Sequence, residues 1–237
     1  MKSSRIPDQE ARMASSPTPS SRGFGAVSLA ALLLALAGYW SPWLTQPAAA
    51  LRLSGFDLAE WVTFLPGVRD GSLPLSRLAF LLPLACLALL LGLAAHAGPR
   101  RPGWRNWLPA WPWGWGLWLL AGVCGLLVLP SYEAFRNREY WPEYQSQFVV
   151  ACITLAGVAA GGFVPRRAAG WLQIILAAAG CGYGAWTLLT LRPAANELLN
   201  APWAVGLGWM AMLAGFAGVA GAAAWPWVFR RLPGSHD

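Results

Sequence analysis

Apolar residues in this chain fall into long runs separated by short polar stretches, without the alternation that marks a half-buried strand or an amphipathic soluble helix. Six runs, at 24–44, 78–97, 111–130, 147–164, 168–191 and 201–225, approach the length needed to cross a bilayer, which is about 20 helical residues for a hydrocarbon layer about 30 Å thick. Backbone groups in lipid must be satisfied within each segment, and the weak alternation of a barrel strand is absent, so the runs predict helices. The expected fold is an all-α integral membrane protein, a bundle of about six transmembrane helices. Pro83 lies inside the second run and is expected to bend that helix without ending it.

The ends of the chain differ from its body. Residues 1–22 are rich in Ser, Pro and charge and predict a disordered cytoplasmic tail, 23–231 form the transmembrane domain, and 232–237 are a short cytoplasmic C-terminal tail. Phe24 to Ala37 followed by Ala48-Ala49-Ala50 has the outline of a signal peptide and its cleavage site. The long basic region before it and the aromatic Tyr39-Trp40 end favour a retained helix.

Composition agrees with the pattern: hydrophobic residues make up 57% of the 237 and charged residues 11%, against about 25% charged in an ordinary soluble domain. Charge then adds orientation, because Lys and Arg favour the cytoplasmic side. With the N-terminus inside, eleven of the 17 basic residues fall on inner segments, including the pairs Arg100-Arg101, Arg166-Arg167 and Arg230-Arg231. The outer loops hold Arg52, Arg69, Arg77, Arg136, Arg138 and Arg192 and seven of the 10 acidic residues. Both termini are therefore expected on the cytoplasmic side of a cell membrane, and the net charge of +7 is a topology signal that does not call for a nucleic-acid partner. Tryptophans support the same map, since indole rings prefer the headgroup level. Trp104, Trp107, Trp111, Trp113 and Trp115 flank the inner end of the third run, and Tyr39, Trp40, Trp43, Tyr140, Trp141, Tyr144 and Trp203 fall at outer ends.

Small residues four apart let helices approach closely in lipid. Gly157 and Gly161, Gly180 and Gly184, and Gly215 and Gly218 with Ala211 and Ala214 predict that the last three spans form a compact bundle. Ala26 with Ala30 and Ala31 with Ala35 repeat the spacing in the first span, where abundant alanine produces such pairs by chance.

Candidate chemistry is sparse. No span carries an ionisable group near its middle, which argues against an ion-coupled transporter or proton pump. The polar residues inside the spans, such as Ser28, Thr154, Gln173 and Thr187, can bond to a helix backbone or to one another. Two histidines, His96 and His236, and four cysteines placed singly in different spans (Cys86, Cys124, Cys152, Cys181) give no haem, zinc or redox pattern. No phosphate-binding loop, nucleophile elbow or dinucleotide turn is present, so neither metal nor cofactor is expected.

The outer loops are the remaining place for function. The first, 41–77, is too long for a turn and contains a predicted short amphipathic helix at 54–65. Ser54 and Asp57 form its capping box, Leu58, Trp61, Val62 and Leu65 its apolar face, and Pro66-Gly67 its end. That face is expected on the outer lipid interface or over the bundle. Asp57 and Glu60, three apart, point the same way. The second loop, 131–146, holds Glu133, Arg136, Glu139, Tyr140 and Glu143, with spacing for a Glu133–Arg136 pair if helical. Asp57, Glu60, Trp61, Glu133, Arg136, Glu139, Tyr140 and Glu143 are thus the candidate contacts for a ligand, cation or partner.

Three functions fit these features. The first is a non-catalytic accessory or assembly subunit of a larger membrane complex, with the bilayer and a membrane protein or a second copy as partners. The second is a binding module for transport of a small solute. Six spans, internal termini, a long first outer loop and the Ala26/Ala30 and Ala31/Ala35 pairs give a layout that resembles the substrate-binding subunits of energy-coupling-factor transporters, although no ligand motif matches. The third is an enzyme acting on a lipid or glycan at the outer face through the loop carboxylates, in the manner of paired-carboxylate glycosidases.

Overall fold

A computed structural model describes residues 19–46, 50–97, 108–109, 112–136, 141–199 and 202–229. The described chain is mostly helical. Helix α1 (Pro19–Trp40) leads into strands β1 (Leu44–Gln46) and β2 (Leu51–Leu53), then α2 (Gly55–Trp61), a 3-10 turn (Val62–Phe64) and α3 (Pro66–Arg69). Helices α4 (Arg77–Ala95), α5 (Pro112–Leu127), α6 (Tyr132–Arg136), α7 (Trp141–Ala160) and α8 (Arg166–Leu199) follow, and strand β3 (Ala204–Val205) precedes α9 (Leu207–Phe229). Among the described residues four helical stretches are long and apolar enough to cross a membrane: Arg77–Ala95, Trp141–Phe163, Arg166–Leu198 and Leu207–Trp225. Two more apolar stretches, Gly25–Trp40 and Pro112–Leu127, are shorter.

The environment on both sides of these helices is apolar. Inside, Phe80, Leu84, Leu87, Leu90 and Leu91 of α4 are fully buried. Outside, α5 exposes Leu119, Val123 and Leu126, α7 exposes Val149 and Ile153, and α8 exposes Ile175 and Leu189. A water-soluble bundle would turn polar faces outward, so large apolar residues on both faces identify a membrane protein.

Helix α4 is the hub. It packs against α1, α2, α5, α7 and α8, while α9 packs against α1 and α8, and α5 against α7. Pro83 does not end α4, as expected, and is itself buried. It removes the N–H that would serve the Ala79 carbonyl, and one residue further on the Tyr39 hydroxyl donates to the Phe80 carbonyl at 3.3 Å.

The small-residue pairs are used, and of the last three spans they join α8 to α9 but set α7 against α4, which corrects the expected three-span bundle. Gly157 of α7 and Gly161, in the 3-10 turn that follows it, face α4: a methyl group on Gly157 would meet Leu89, and one on Gly161 would lie 3.3 Å from the Gly92 carbonyl. Gly180 and Gly184 of α8 face Phe216 and Met212 of α9, while Gly215 and Gly218 of α9 face Ala31 and Ala35 of α1. The alanine pair in α1 is therefore a packing surface, not a by-product of composition. Of the cysteines, Cys86 and Cys124 are buried in the core, whereas Cys152 is exposed on α7. Thr154 and Thr187 donate to Val150 and Tyr183 one helical turn earlier, both at 2.8 Å, as their positions inside apolar helices require.

Helix ends depart from the apolar runs in an instructive way. Helix α7 begins six residues before the fourth run, with Pro142 and Glu143 in its first turn, both favourable at a helix start. Helix α8 runs 34 residues through Pro193 to Leu199, a length of about 51 Å that exceeds the hydrocarbon layer by several turns. The first and sixth runs are each cut short by strand: 44–46 and 204–205 leave the helices and pair with each other.

Candidate functional site

Among the described residues, 41–46, 50–76, 192–199 and 202–206 build a folded cap at one end of the bundle. Its base is a three-stranded sheet in the order β2-β1-β3, with Leu44 paired to Leu53 and Val205, and Thr45 to Arg52 and Ala204, all antiparallel. Three-residue strands have little stability of their own. Here Trp43 N–H donates to the Leu53 carbonyl at 2.8 Å and Gly206 N–H to the Trp43 carbonyl at 2.7 Å, extending the ladder around a fully buried indole.

Helix α2 forms as its sequence dictates. Ser54 accepts from Asp57 N–H at 3.3 Å, and the Asp57 carboxylate accepts from Ser54 N–H at 2.9 Å and from its hydroxyl at 2.7 Å. Leu58, Val62 and Leu65 are buried against the bundle. At about 1.5–3 kcal/mol per buried side chain, this face holds the cap over the bundle and away from the lipid interface. The helical segment stops before Pro66-Gly67, as expected, with Leu65 extended, and Pro66 then opens the separate turn of α3 at a position that needs no N–H. Ser72 holds the Asp70 carboxyl below the ordinary carboxylate range through its side chain and its N–H, the latter at 2.9 Å.

Trp203 locks the other side of the cap. It is fully buried, its N–H donates to the Asn196 side chain at 2.8 Å, its indole to the Ala195 carbonyl at 3.1 Å, and its carbonyl accepts from Arg192 at 3.3 Å. The Trp61 ring lies 5.7 Å away. Tyr39, Trp43 and Trp203 are thus core residues, which corrects their assignment to the headgroup belt. Trp40, 44% exposed, keeps a face outside the fold.

The candidate carboxylates do not converge. Asp57 turns back onto Ser54, whereas Glu60 forms an ion pair with Arg77 at the start of α4. Arg77 in turn lies over the Tyr144 ring of α7, 5.0 Å from its centroid. Glu143 and Arg136 are exposed, Trp61 is half-buried, and the side chain of Glu133 and all of Glu139 and Tyr140 lie outside the described residues. The expected Glu133–Arg136 pair, residues 1–18 of the N-terminal tail and the C-terminal tail lie outside them as well, whereas 19–22, expected as tail, are the first residues of α1. Among the described residues no three His, Cys, Asp or Glu side chains gather where one ion could be held.

Sequence spacing missed Arg77 as the partner of Glu60 and Tyr144 as the ring beneath Arg77, because the three lie on separate elements. It also missed Gln147, buried on α7, whose amide donates to the Val128 carbonyl just past the end of α5 at 2.9 Å. A glutamine at the head of an apolar run was its one visible signal. No family model, no curated protein and no solved structure matches this chain.

Proposed function

We infer that the chain is a six-span membrane protein with both termini cytoplasmic, acting as a non-catalytic accessory or assembly subunit whose capped end is its contact surface. The two short apolar helices α1 and α5 count as spans in this reading because each lies against the buried hub helix α4. The observation that carries the function is where the loop polar groups go. Asp57 is engaged by the capping box, Asn196 and Arg192 by Trp203, and Gln147 by a helix end. Polar side chains at this end build a rigid surface, and a rigid surface loses little entropy when it docks on a partner.

The test is purification of the tagged full-length chain from its native membrane in mild detergent, followed by mass spectrometry of what stays bound. Partner proteins in fixed stoichiometry are the expected result. A lone chain carrying one small solute would replace the subunit reading with the transport one, and catalytic turnover lost on changing a single loop carboxylate would replace it with the enzyme one. Single cysteines at Arg69 and at Lys2, labelled with an impermeant maleimide in intact cells, check the orientation: Arg69→Cys should label and Lys2→Cys should not.

A further inference from the structure

We propose that Arg77 binds the phosphate group of an anionic ligand at the capped end, with Glu60 as the internal anion that this ligand displaces. The guanidinium is set in place by its position at the first residue of α4 and by the Tyr144 ring beneath it. Its side chain is only 14% exposed, while that of its partner Glu60 is 52% exposed. The cation is therefore fixed and the anion is the member of the pair free to leave. The pairing is also incomplete, since Arg77 Nε is buried with no hydrogen-bond partner.

An arginine presents its N–H groups as a rigid fork that two oxygens of one phosphate can match side by side. A buried N–H without an acceptor is a cost that such a ligand removes. Tyr144 adds a ring wall of the kind that holds a guanidinium flat for this recognition. The site stands at the head of an apolar helix, where a phospholipid headgroup and a free phosphate could both arrive, and phosphate is the chemistry they share.

The experiment uses the full chain in detergent and in nanodiscs. Binding is read by thermal shift and native mass spectrometry with phosphatidylglycerol, phosphatidylcholine and inorganic phosphate as probes. Retention of phosphatidylglycerol over phosphatidylcholine, without inorganic phosphate, supports the site and assigns a lipid headgroup. Binding of inorganic phosphate as well supports it and assigns a free phosphate. Glu60→Gln removes the competitor and should tighten binding roughly threefold, the scale of a partly exposed ion pair. Arg77→Gln should abolish the preference for the anionic probe, and Arg77→Lys, which keeps the charge without the fork, should weaken it. Arg69→Gln, at an exposed cap arginine, should change nothing; equal loss there would mean surface charge alone and overturn the proposal. So would a wild-type protein that retains none of the anionic probes, a result that needs no variant to fold.

Discussion

Replacing Gly38 by alanine should destabilise the protein more than the added methyl group suggests. Gly38 sits on α1 where it crosses the start of α9. A methyl group there would stand 2.8 Å from Met212 Cα and closer still to the Met212 nitrogen, against 3.4 Å at the near edge of ordinary contact. The shortfall exceeds 0.6 Å, and the atoms met are backbone, including the Gly208 carbonyl, so no side chain can rotate away. Overpacking of this kind costs about 1–3 kcal/mol. In lipid it acts directly on the close packing that holds helices together. The higher helix propensity of alanine returns up to about 1 kcal/mol. With the overpacking cost taken at the top of that range, because only backbone can give way, the net expectation is a loss of about 2 kcal/mol. Gly182→Ala supplies the control, since nothing lies within 4 Å of that position and only the propensity gain remains. Gly218→Ala should fall between them, its methyl group meeting only the Ala31 side chain at 3.0 Å. Reversible unfolding by SDS in mixed micelles, followed by circular dichroism, measures all three. Equal midpoints for Gly38→Ala and wild type, or equal losses for Gly38→Ala and Gly182→Ala, would refute the assignment of Gly38 to a backbone seam.

The cap gives three further expectations. Trp203→Ala should cost about 3–5 kcal/mol, the scale of emptying a large aromatic site, and should open the cap to proteolysis at 192–206 before the helices unfold. Ser54→Ala should cost about 1 kcal/mol through the lost helix cap, seen as faster hydrogen exchange confined to 55–61, with Ser54→Thr nearly silent. Asp70 has its folded pKa lowered by Ser72, so its contribution to stability is present at neutral pH and lost as the pH falls through that lowered value. Ser72→Ala should move the Asp70 carboxyl titration upward toward the ordinary range, read by carbon NMR of labelled aspartate.

The membrane character of the chain was legible because it rests on depth alone: a run of apolar residues demands an apolar medium wherever the helix is later placed. The boundaries were legible only where helix and membrane end together. At 141–146 and 192–199 the chain stays helical in polar sequence, and hydropathy records polarity but not backbone conformation. The strands at 44–46, 51–53 and 204–205 were invisible for another reason. Two or three residues give no period to read, and the β1–β3 pairing joins segments about 160 positions apart, as the Thr45–Ala204 contact at separation 159 illustrates. The capping box at Ser54 and Asp57 was readable because it is local in sequence. The Glu60–Arg77–Tyr144 chain was not, since each residue taken alone is an ordinary loop or interface residue. Ala31 and Ala35 show the same limit in the helices: in an alanine-rich segment every face offers small pairs, and only Gly215 on the neighbouring helix selects the one that is used.

Depth without direction also explains the tryptophans. Trp43 stands at the level where a headgroup belt is expected, yet it turns inward and donates its indole N–H to the Gly38 carbonyl at 3.1 Å. That carbonyl lies at the end of α1, where the donor four residues on would be Pro42, which has no N–H. A helix that ends under a cap has no water to complete its last carbonyls, so a side chain must do so. Trp43 does it for α1 as Gln147 does beyond α5. Trp43→Phe keeps most of the volume and removes the donor, and should cost about 1–3 kcal/mol, the range for a buried acceptor left unpaired. Pro42→Ala puts a backbone N–H where the ordinary helical bond to Gly38 would form, so Trp43→Phe should cost markedly less in that background. An equal cost in both backgrounds, measured by the same SDS titration, would show that Trp43 acts through its bulk and that the Gly38 carbonyl is closed by something else.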